Sequence, residues 1–352
     1  MRANKTISIV ILSLICFVQM SSAQTSKFGG KGLFRTLSAE TVGTGNLYVN
    51  GYFSSYVQKA EENILAKDHS LSVGVTFGFM KHLETSLNIV PYQDDQHSIW
   101  GPPGNTRLGL KYHLPFSSPG FHIGLNQFFV FPTAQTDNIA FEPFSSGKVA
   151  WGSQLLMTMS LENMMPMMPI KIHANIGYLD HDMGDLFFKS EIDQMLIGLG
   201  VVFPIRSFQL FTEYSAEVFI NEASVDFSQN SMRLTQGFKF LGPKAIIFDV
   251  IFDLGLTNND LLETVKAAQD SISPFLKEYA DWKFTIGATY RFSFKKLFDK
   301  SEKVERKKED EEKRKLQRIQ RKRENAAKDL ESMKQILDRN VKEKDKDKKK
   351  DE

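Results

Sequence analysis

The feature that most constrains this chain is a two-residue alternation of apolar and polar side chains that recurs along most of its length. In residues 284–294 every second residue is apolar, and the residues between are mostly polar or glycine. This period indicates a β-strand whose two faces meet different environments. Twelve such segments occur, at residues 45–58, 69–80, 83–92, 106–114, 121–132, 148–162, 169–179, 192–204, 208–220, 231–241, 244–256 and 281–294.

The connections between these segments alternate between short and long. The long ones are residues 59–68, 93–105, 133–147, 180–191, 221–230 and 257–280. The segments are also longer than the five or six residues of an ordinary strand, and they reach the roughly 9–11 that cross a bilayer. Tight turns at one end and long loops at the other are typical of outer-membrane barrels. We therefore predict an all-β fold, an antiparallel transmembrane β-barrel of about 12 strands within residues 24–294.

The composition of the two strand faces supports this prediction. In the second segment one face is wholly apolar, from Leu71 to Phe79, and the other carries only serine, threonine and glycine. Polar faces elsewhere carry charges of both signs, which suits a wet interior, and the apolar faces suit lipid. The chain has 29 phenylalanines and 9 tyrosines, and many of them lie near segment ends, as an aromatic girdle requires. A soluble barrel or sandwich is the alternative.

The N-terminal residues 1–23 are predicted to be a secretory signal peptide. Two basic residues, Arg2 and Lys5, precede an apolar run from residue 7 to 18, and Ser21-Ser22-Ala23 supplies a cleavage site before Gln24. The apolar run is shorter than the ~20 residues that span a bilayer, which disfavours a membrane anchor. The single cysteine lies in this segment, so we expect no disulfide and no thiol chemistry in the mature chain.

Residues 295–352 differ in kind from the rest of the chain. They carry 23 Lys and Arg against 16 Asp and Glu, a surplus of +7, whereas residues 1–294 carry 21 against 26, or −5. Apolar residues at heptad-like spacing between Leu316 and Leu337 predict a charged helical or coiled-coil tail whose last residues are disordered. With twelve strands the tail lies in the periplasm. A solvated helix without a partner is the alternative.

No pattern of catalytic residues is present. The motifs GxSxG, HExxH, Walker A and CxxC are all missing, so we predict no enzyme, no cofactor and no metal. A barrel lipase would need a Ser-His pair on the outer face, and no clear histidine candidate lies there. The segment HDMGD, residues 181–185, offers oxygen ligands for a divalent cation, but a solvated loop is the favoured interpretation. KFGGKG, residues 27–32, is interpreted as a flexible N-terminus.

The polar strand faces predict the residues that line the barrel interior. Seven basic, five acidic and three histidine side chains fall on them: Glu84, Arg107, Lys111, His113, His122, Lys171, His173, Glu213, Glu217, Arg233, Lys239, Asp249, Asp253, Lys283 and Arg291. Because Arg233 and Lys239 lie on a strand next to that of Asp249 and Asp253, we expect cross-strand ion pairs. Two interpretations stay open, a polar conduit for solutes or an interior filled by ion pairs.

One region resembles a known family. VGVTFGFMKHLETSLNIVPY (residues 73–92), GNTRLGLKYHLP (104–115) and the FPTA that ends at residue 134 are similar to the outer-membrane transporters grouped as the MetA-pathway-of-phenol-degradation family. The matching positions are Glu84, Tyr92, Gly109, Lys111, Tyr112, Pro132 and Thr133. Asn105-Thr106 and Ala134 depart from the family pattern. The resemblance implies passage of small solutes, including hydrophobic or aromatic ones.

Two functions follow from these patterns. The first is a channel or transporter for small solutes in the outer membrane of a Gram-negative-type bacterium. The second is a structural or assembly barrel whose tail engages periplasmic proteins or the cell wall. The expected partners are outer-membrane lipid, a small solute and the barrel assembly machinery, since aromatic residues close the last strand; nucleic acid is not expected.

Overall fold

The structure is a computed structural model and describes residues 24–294. Within that range it leaves out residues 62–63, 94–101, 116–117, 119, 135–141, 164–168, 190–191, 206, 222–225, 228–229, 243–244 and 258–278. The predicted signal peptide and the predicted tail therefore lie outside the described residues. No helix among the described residues is long and apolar enough to cross a membrane.

Twelve antiparallel strands form one closed barrel, in which each strand pairs with its sequence neighbours and β1 pairs with β12. Closure leaves no unpaired edge, so the backbone N–H and C=O groups of the wall bond within the wall. A 3₁₀ turn, Leu161–Asn163, follows β6. The strands are β1 Asn46–Glu61, β2 Ile64–Met80, β3 Leu83–Gln93, β4 Thr106–His113, β5 Phe121–Phe131, β6 Ala150–Ser160, β7 Lys171–Asp180, β8 Gln194–Ile205, β9 Phe208–Phe219, β10 Ser231–Leu241, β11 Ile246–Gly255 and β12 Trp282–Ser293.

The predicted all-β antiparallel barrel of twelve strands is confirmed, and each of the twelve predicted segments corresponds to a strand. One predicted long loop, residues 59–68, is wrong, because β1 and β2 continue as a hairpin to Glu61 and Ile64. The alternation of apolar and polar residues that defined the two segments stops at residue 58 and resumes at residue 69. Backbone pairing continues beyond that point, so the pattern underestimates the strand length.

The outer surface of the barrel is apolar. Large side chains on it are about 36–51% exposed along all twelve strands, for example Phe53, Leu110, Ile176, Phe248 and Ile286. A continuous exposed apolar surface of this kind is unsuited to water and suits lipid. A closed antiparallel barrel with such a surface has the architecture of a bacterial outer-membrane β-barrel.

The interior is occupied by residues 24–45, which we call the N-terminal segment. Leu33 and Phe34 have no exposed surface and cluster with Tyr52, Val202 and other wall residues. The prediction of a flexible N-terminus at residues 27–32 is therefore wrong. The segment bends on itself through Gly29 and Gly30, whose φ angles of +81° and +83° favour glycine.

Three interior aromatic rings lie over glycines of the neighbouring strand. They are Tyr52 over Gly287, Phe128 over Gly152 and Phe211 over Gly237, and each pair faces directly across the strands. A side chain at any of these glycines would overlap the ring. Glycine on the polar face thus makes room for aromatic side chains that pack inside a narrow barrel.

Candidate functional site in the barrel interior

Glu84 of β3 holds the N-terminal segment through backbone groups. Its carboxylate accepts hydrogen bonds from the amide nitrogens of Lys31 and Val42, at 2.9 and 2.7 Å. Lys111 of β4, the cross-strand neighbour of Glu84, lies 2.6 Å from the same carboxylate. The Lys111 ammonium also donates to the carbonyl oxygens of Lys31 and Ser38, each at 3.0 Å. Two wall charges thus neutralise each other and bind the segment.

A second attachment lies on the opposite side of the interior. Glu213 of β9 accepts hydrogen bonds from the amide nitrogens of Arg35 and Thr36, at 2.8 and 3.0 Å. The Arg35 guanidinium forms two parallel bonds of 2.7 Å with the carboxylate of Asp253. Thr235 donates a further hydrogen bond to Asp253. This two-point pairing fixes the direction of the segment as well as its position.

The expected cross-strand ion pairs are found in part. Lys239 lies directly opposite Asp249, and their charged atoms are 3.7 Å apart. The Tyr52 hydroxyl lies 2.8 Å from Asp249 and can donate to it. Asp253 pairs with Arg35 instead of a wall residue, because the N-terminal segment brings a guanidinium within reach.

Glu40 of the N-terminal segment is the centre of a charge cluster at the end of the barrel that carries the short turns. Lys31 lies 2.6 Å from its carboxylate, Lys171 at 3.5 Å and His122 at 3.6 Å. Burial alone would raise the pKa of Glu40, but the two lysines outweigh it and lower the pKa to about 2. Glu40 therefore stays ionised at any physiological pH.

Three histidines form a row beside this cluster. The Nδ1 atoms of His82 and His113 are 3.0 Å apart, and His113 Nε2 lies 3.3 Å from His122 Nδ1. His173 is buried and lies 2.9 Å from the Thr158 hydroxyl. Among the described residues no group of three His, Cys, Asp or Glu side chains has the geometry of a metal site.

A cavity of about 360 Å³ opens at the short-turn end, between the N-terminal segment and the wall. Its lining is mostly polar and includes Gln24, Lys31, Glu40, Lys171 and His173. The cavity is thus bordered on one side by the segment that fills the centre of the barrel.

A second cavity, of about 180 Å³, lies at the end that carries the long loops. The N-terminal segment contributes Lys27, Phe28 and Arg35 to its lining, and loop residues 142–148 cover another side. Arg107 of β4 lies against two aromatic rings of this lining, with its guanidinium carbon 3.5 Å from the ring centre of Phe128 and 4.7 Å from that of Phe28.

Loop residue Glu142 reaches into the barrel beside this cavity. Lys283 of β12 lies 3.0 Å from Glu142 and also pairs with Asp68 of β2. Burial tends to raise the pKa of Glu142, but the Lys283 and Lys27 charges outweigh burial and lower it well below its usual range. The loop is therefore tied to the wall by a buried carboxylate that remains charged.

All fifteen predicted interior residues are buried or half-buried, whereas many of the outward residues between them are exposed. The wall residues Glu84, Lys111, Glu213 and Asp253 meet through the N-terminal segment, and Glu217 lies with Arg107 at the long-loop cavity. The others lie elsewhere along the wall: His113, His122, Lys171 and His173 near the short turns, Lys239 opposite Asp249, Arg233 facing Tyr279, Lys283 beside Asp68, and Arg291 near the end of β12.

Sequence reasoning missed the interior residues that are not on strands, namely Lys27, Arg35, Glu40 and Glu142. A signal was present, because the apolar residues Leu33, Phe34 and Leu37 directly follow residues 27–32, which were interpreted as flexible. Apolar residues next to glycines in an unpaired segment indicate that the segment is buried against something.

No protein-family model and no curated protein matches the chain, so the family resemblance stays a prediction. Solved structures with a similar overall architecture include a KdgM porin, with 6% identity, a TM-score of 0.45, and coverage of 70% of this chain and 99% of that one. The COG4313 outer membrane channel from Pseudomonas putida F1 has 7% identity and a TM-score of 0.45, covering 72% and 98%. The CymD monoaromatic hydrocarbon channel has 10% identity and a TM-score of 0.37, with coverage of 72% of this chain and 89% of that one. All three TM-scores are below 0.5, so these similarities concern the general architecture and carry no conclusion about function.

Proposed function

We propose that this barrel is an outer-membrane channel for small solutes, including hydrophobic or aromatic ones, and that the N-terminal segment limits passage through it. The observation that carries the proposal is the pair of cavities, one at each end of the interior, which the same segment borders. An interior that served only to support the wall would not need a cavity at each end. On this proposal the interior residues line the solute path.

The orientation belongs to the same proposal. Short turns face the periplasm and long loops face outward in bacterial outer-membrane barrels. The Glu40 cluster then lies near the periplasm and Arg107 near the cell exterior. Residues 295–352, which follow the end of β12, lie on the periplasmic side.

The test is conductance in planar bilayers, with the natural chain compared to a variant in which residues 27–42 are replaced by a short Gly-Ser linker. We expect a several-fold larger conductance for the variant, because the linker lacks the side chains that occupy the interior. A variant without residues 300–352 is the control and should conduct like the natural chain. If the linker variant folds and conducts no more than the natural chain, the interior is not the path and the channel proposal is wrong.

A further inference from the structure

Arg107 is the residue from which a ligand class follows. Two phenyl rings contact its guanidinium group, and stacking on the face of that group leaves the in-plane N–H donors available. Within the described part of the chain, no residue accepts a hydrogen bond from Arg107 or forms an ion pair with it. Half-buried donors of a charged group without a partner are costly, so the arrangement favours a bound group that accepts them.

A second cation, Lys27, lines the same cavity. Asn88 faces Arg107 across β3 and β4, and its amide donates a 2.8 Å hydrogen bond to the carbonyl oxygen of Lys27. Lys27 forms no ion pair with any described residue. Burial lowers the pKa of Lys27 to about 8, with Glu142 acting in the opposite direction, so the ammonium is mostly protonated at pH 7.

Most of the other charged residues of the cavity have ion-pair partners. Arg35, Glu142 and Lys148 line it, and each is in an ion pair with another described residue. Glu217 is the one other charged residue of the described lining. Arg107 and Lys27 are therefore the cations of the described lining that no carboxylate contacts at ion-pair distance.

The rest of the lining is largely apolar, and the cavity is small. Val90, Phe128, Val130, Leu179 and Leu196 contribute side chains. A volume of about 180 Å³ compares with the ~150 Å³ of an engineered cavity that binds benzene. The site thus combines an anion-binding corner with space for about one ring.

We propose that this cavity binds a small organic anion, a carboxylate whose apolar body is about the size of a single ring. Arg107 holds the carboxylate, and the apolar wall contacts the body. The inference rests on the proposed function for its place on the solute path, whereas binding itself requires no conduction.

The experiment measures binding to the folded full-length protein in detergent by isothermal titration calorimetry at pH 7. The probe is benzoate, and benzyl alcohol is the neutral analogue of nearly the same shape. We expect benzoate to bind at least about tenfold more tightly than benzyl alcohol, because only benzoate carries a negative charge that can pair with the guanidinium through two parallel hydrogen bonds. Arg107→Gln should weaken benzoate binding at least about tenfold and leave benzyl alcohol unchanged.

Arg291→Gln is the matched control, since Arg291 lies near the opposite end of the barrel, and it should keep the benzoate affinity. Heat-modifiable migration on gels shows that each variant is folded. If Arg107→Gln does not fold, the comparison of the two probes on the natural chain still decides. Equal affinity for benzoate and benzyl alcohol, an unaffected Arg107→Gln variant, or displacement of benzoate by an equal concentration of sulfate would each overturn the inference.

The two proposals fail separately. Selective benzoate binding by a protein that never conducts, even with the linker in place of residues 27–42, would support the anion site and overturn the channel. Conduction that increases with the linker, together with no preference for benzoate, would support the channel and overturn the anion site.

Discussion

At the scale of residues, adjacent positions of one strand lie in opposite environments. Ile286 is 48% exposed on the outer surface, and Thr285 next to it has no exposed surface. The Thr285 hydroxyl lies 2.8 Å from that of Ser54 on the neighbouring strand. The sequence pattern assigns both faces correctly, but an interior position next to Ser54 has no room for a large side chain.

We predict that Ile286→Arg destabilises the folded barrel in bilayers by about 2–4 kcal/mol, because an arginine near the membrane midplane has to be removed from water. Ser215→Arg is the control, since Ser215 lines the long-loop cavity and its replacement can extend into that space. The measurement is urea-induced unfolding in lipid vesicles, followed by tryptophan fluorescence. Equal losses for the two variants would contradict the assignment of the strand faces.

At the scale of elements, the N-terminal segment depends on the wall for its conformation. It contains only isolated bridges of its own, such as Thr25 with Lys31, and wall residues accept several of its backbone N–H groups. The interior carboxylates therefore act as fixed acceptors for a segment that lacks a sheet of its own. Loss of one of these attachments should loosen the segment before it weakens the barrel.

We predict that Asp253→Ala releases the N-terminal segment, because it leaves the Arg35 guanidinium buried without its carboxylate. Removing one partner of a buried pair costs about 3–5 kcal/mol. Limited trypsin digestion of the folded protein should then cleave after Lys31 or Arg35 several-fold faster, while the strands stay intact.

Asp182→Ala is the control for this experiment. Asp182 pairs with Lys148 in the loops, where the lysine side chain is 59% exposed, so its loss should change little. Trypsin rates that rise equally in both variants, or in neither, would show that Asp253 does not hold the segment.

At the scale of the whole molecule, the barrel closes through the pairing of β1 with β12, and it does so within residues 46–293. All strands of the wall are present before residue 295. The charged residues 295–352 are therefore not needed to complete the sheet.

We predict that deletion of residues 300–352 leaves barrel assembly and heat-modifiable migration unchanged, and removes only an interaction on the proposed periplasmic side. The measurement is the yield of truncated protein in the outer-membrane fraction, together with its protection from external protease. A truncated protein that fails to assemble would make the tail part of the folding unit.

The strands could be predicted because the two faces of each strand lie in different environments, one toward the barrel interior and one toward its outer surface. The two-residue alternation along each strand is enough to place Ile286 on the outer surface and Asp249 on the interior face. The pairing of Lys239 with Asp249 also follows, since a short turn joins their adjacent strands and the sequence places both on interior faces. The partner of Asp253 could not be predicted, because Arg35 is 218 residues away and lies in no strand.

The sequence by itself determined the twelve strands, their order and the side chains on each face, because these depend on local periodicity and on pairing between neighbours in the chain. Only the tertiary structure decided what fills the barrel. The N-terminal segment has no periodicity of its own. Its position depends on the carboxylates of Glu84, Glu213 and Asp253, which come together around it only when the sheet is closed. The same closure brings Phe28 and Phe128 to Arg107 and forms the cavity whose ligand we propose.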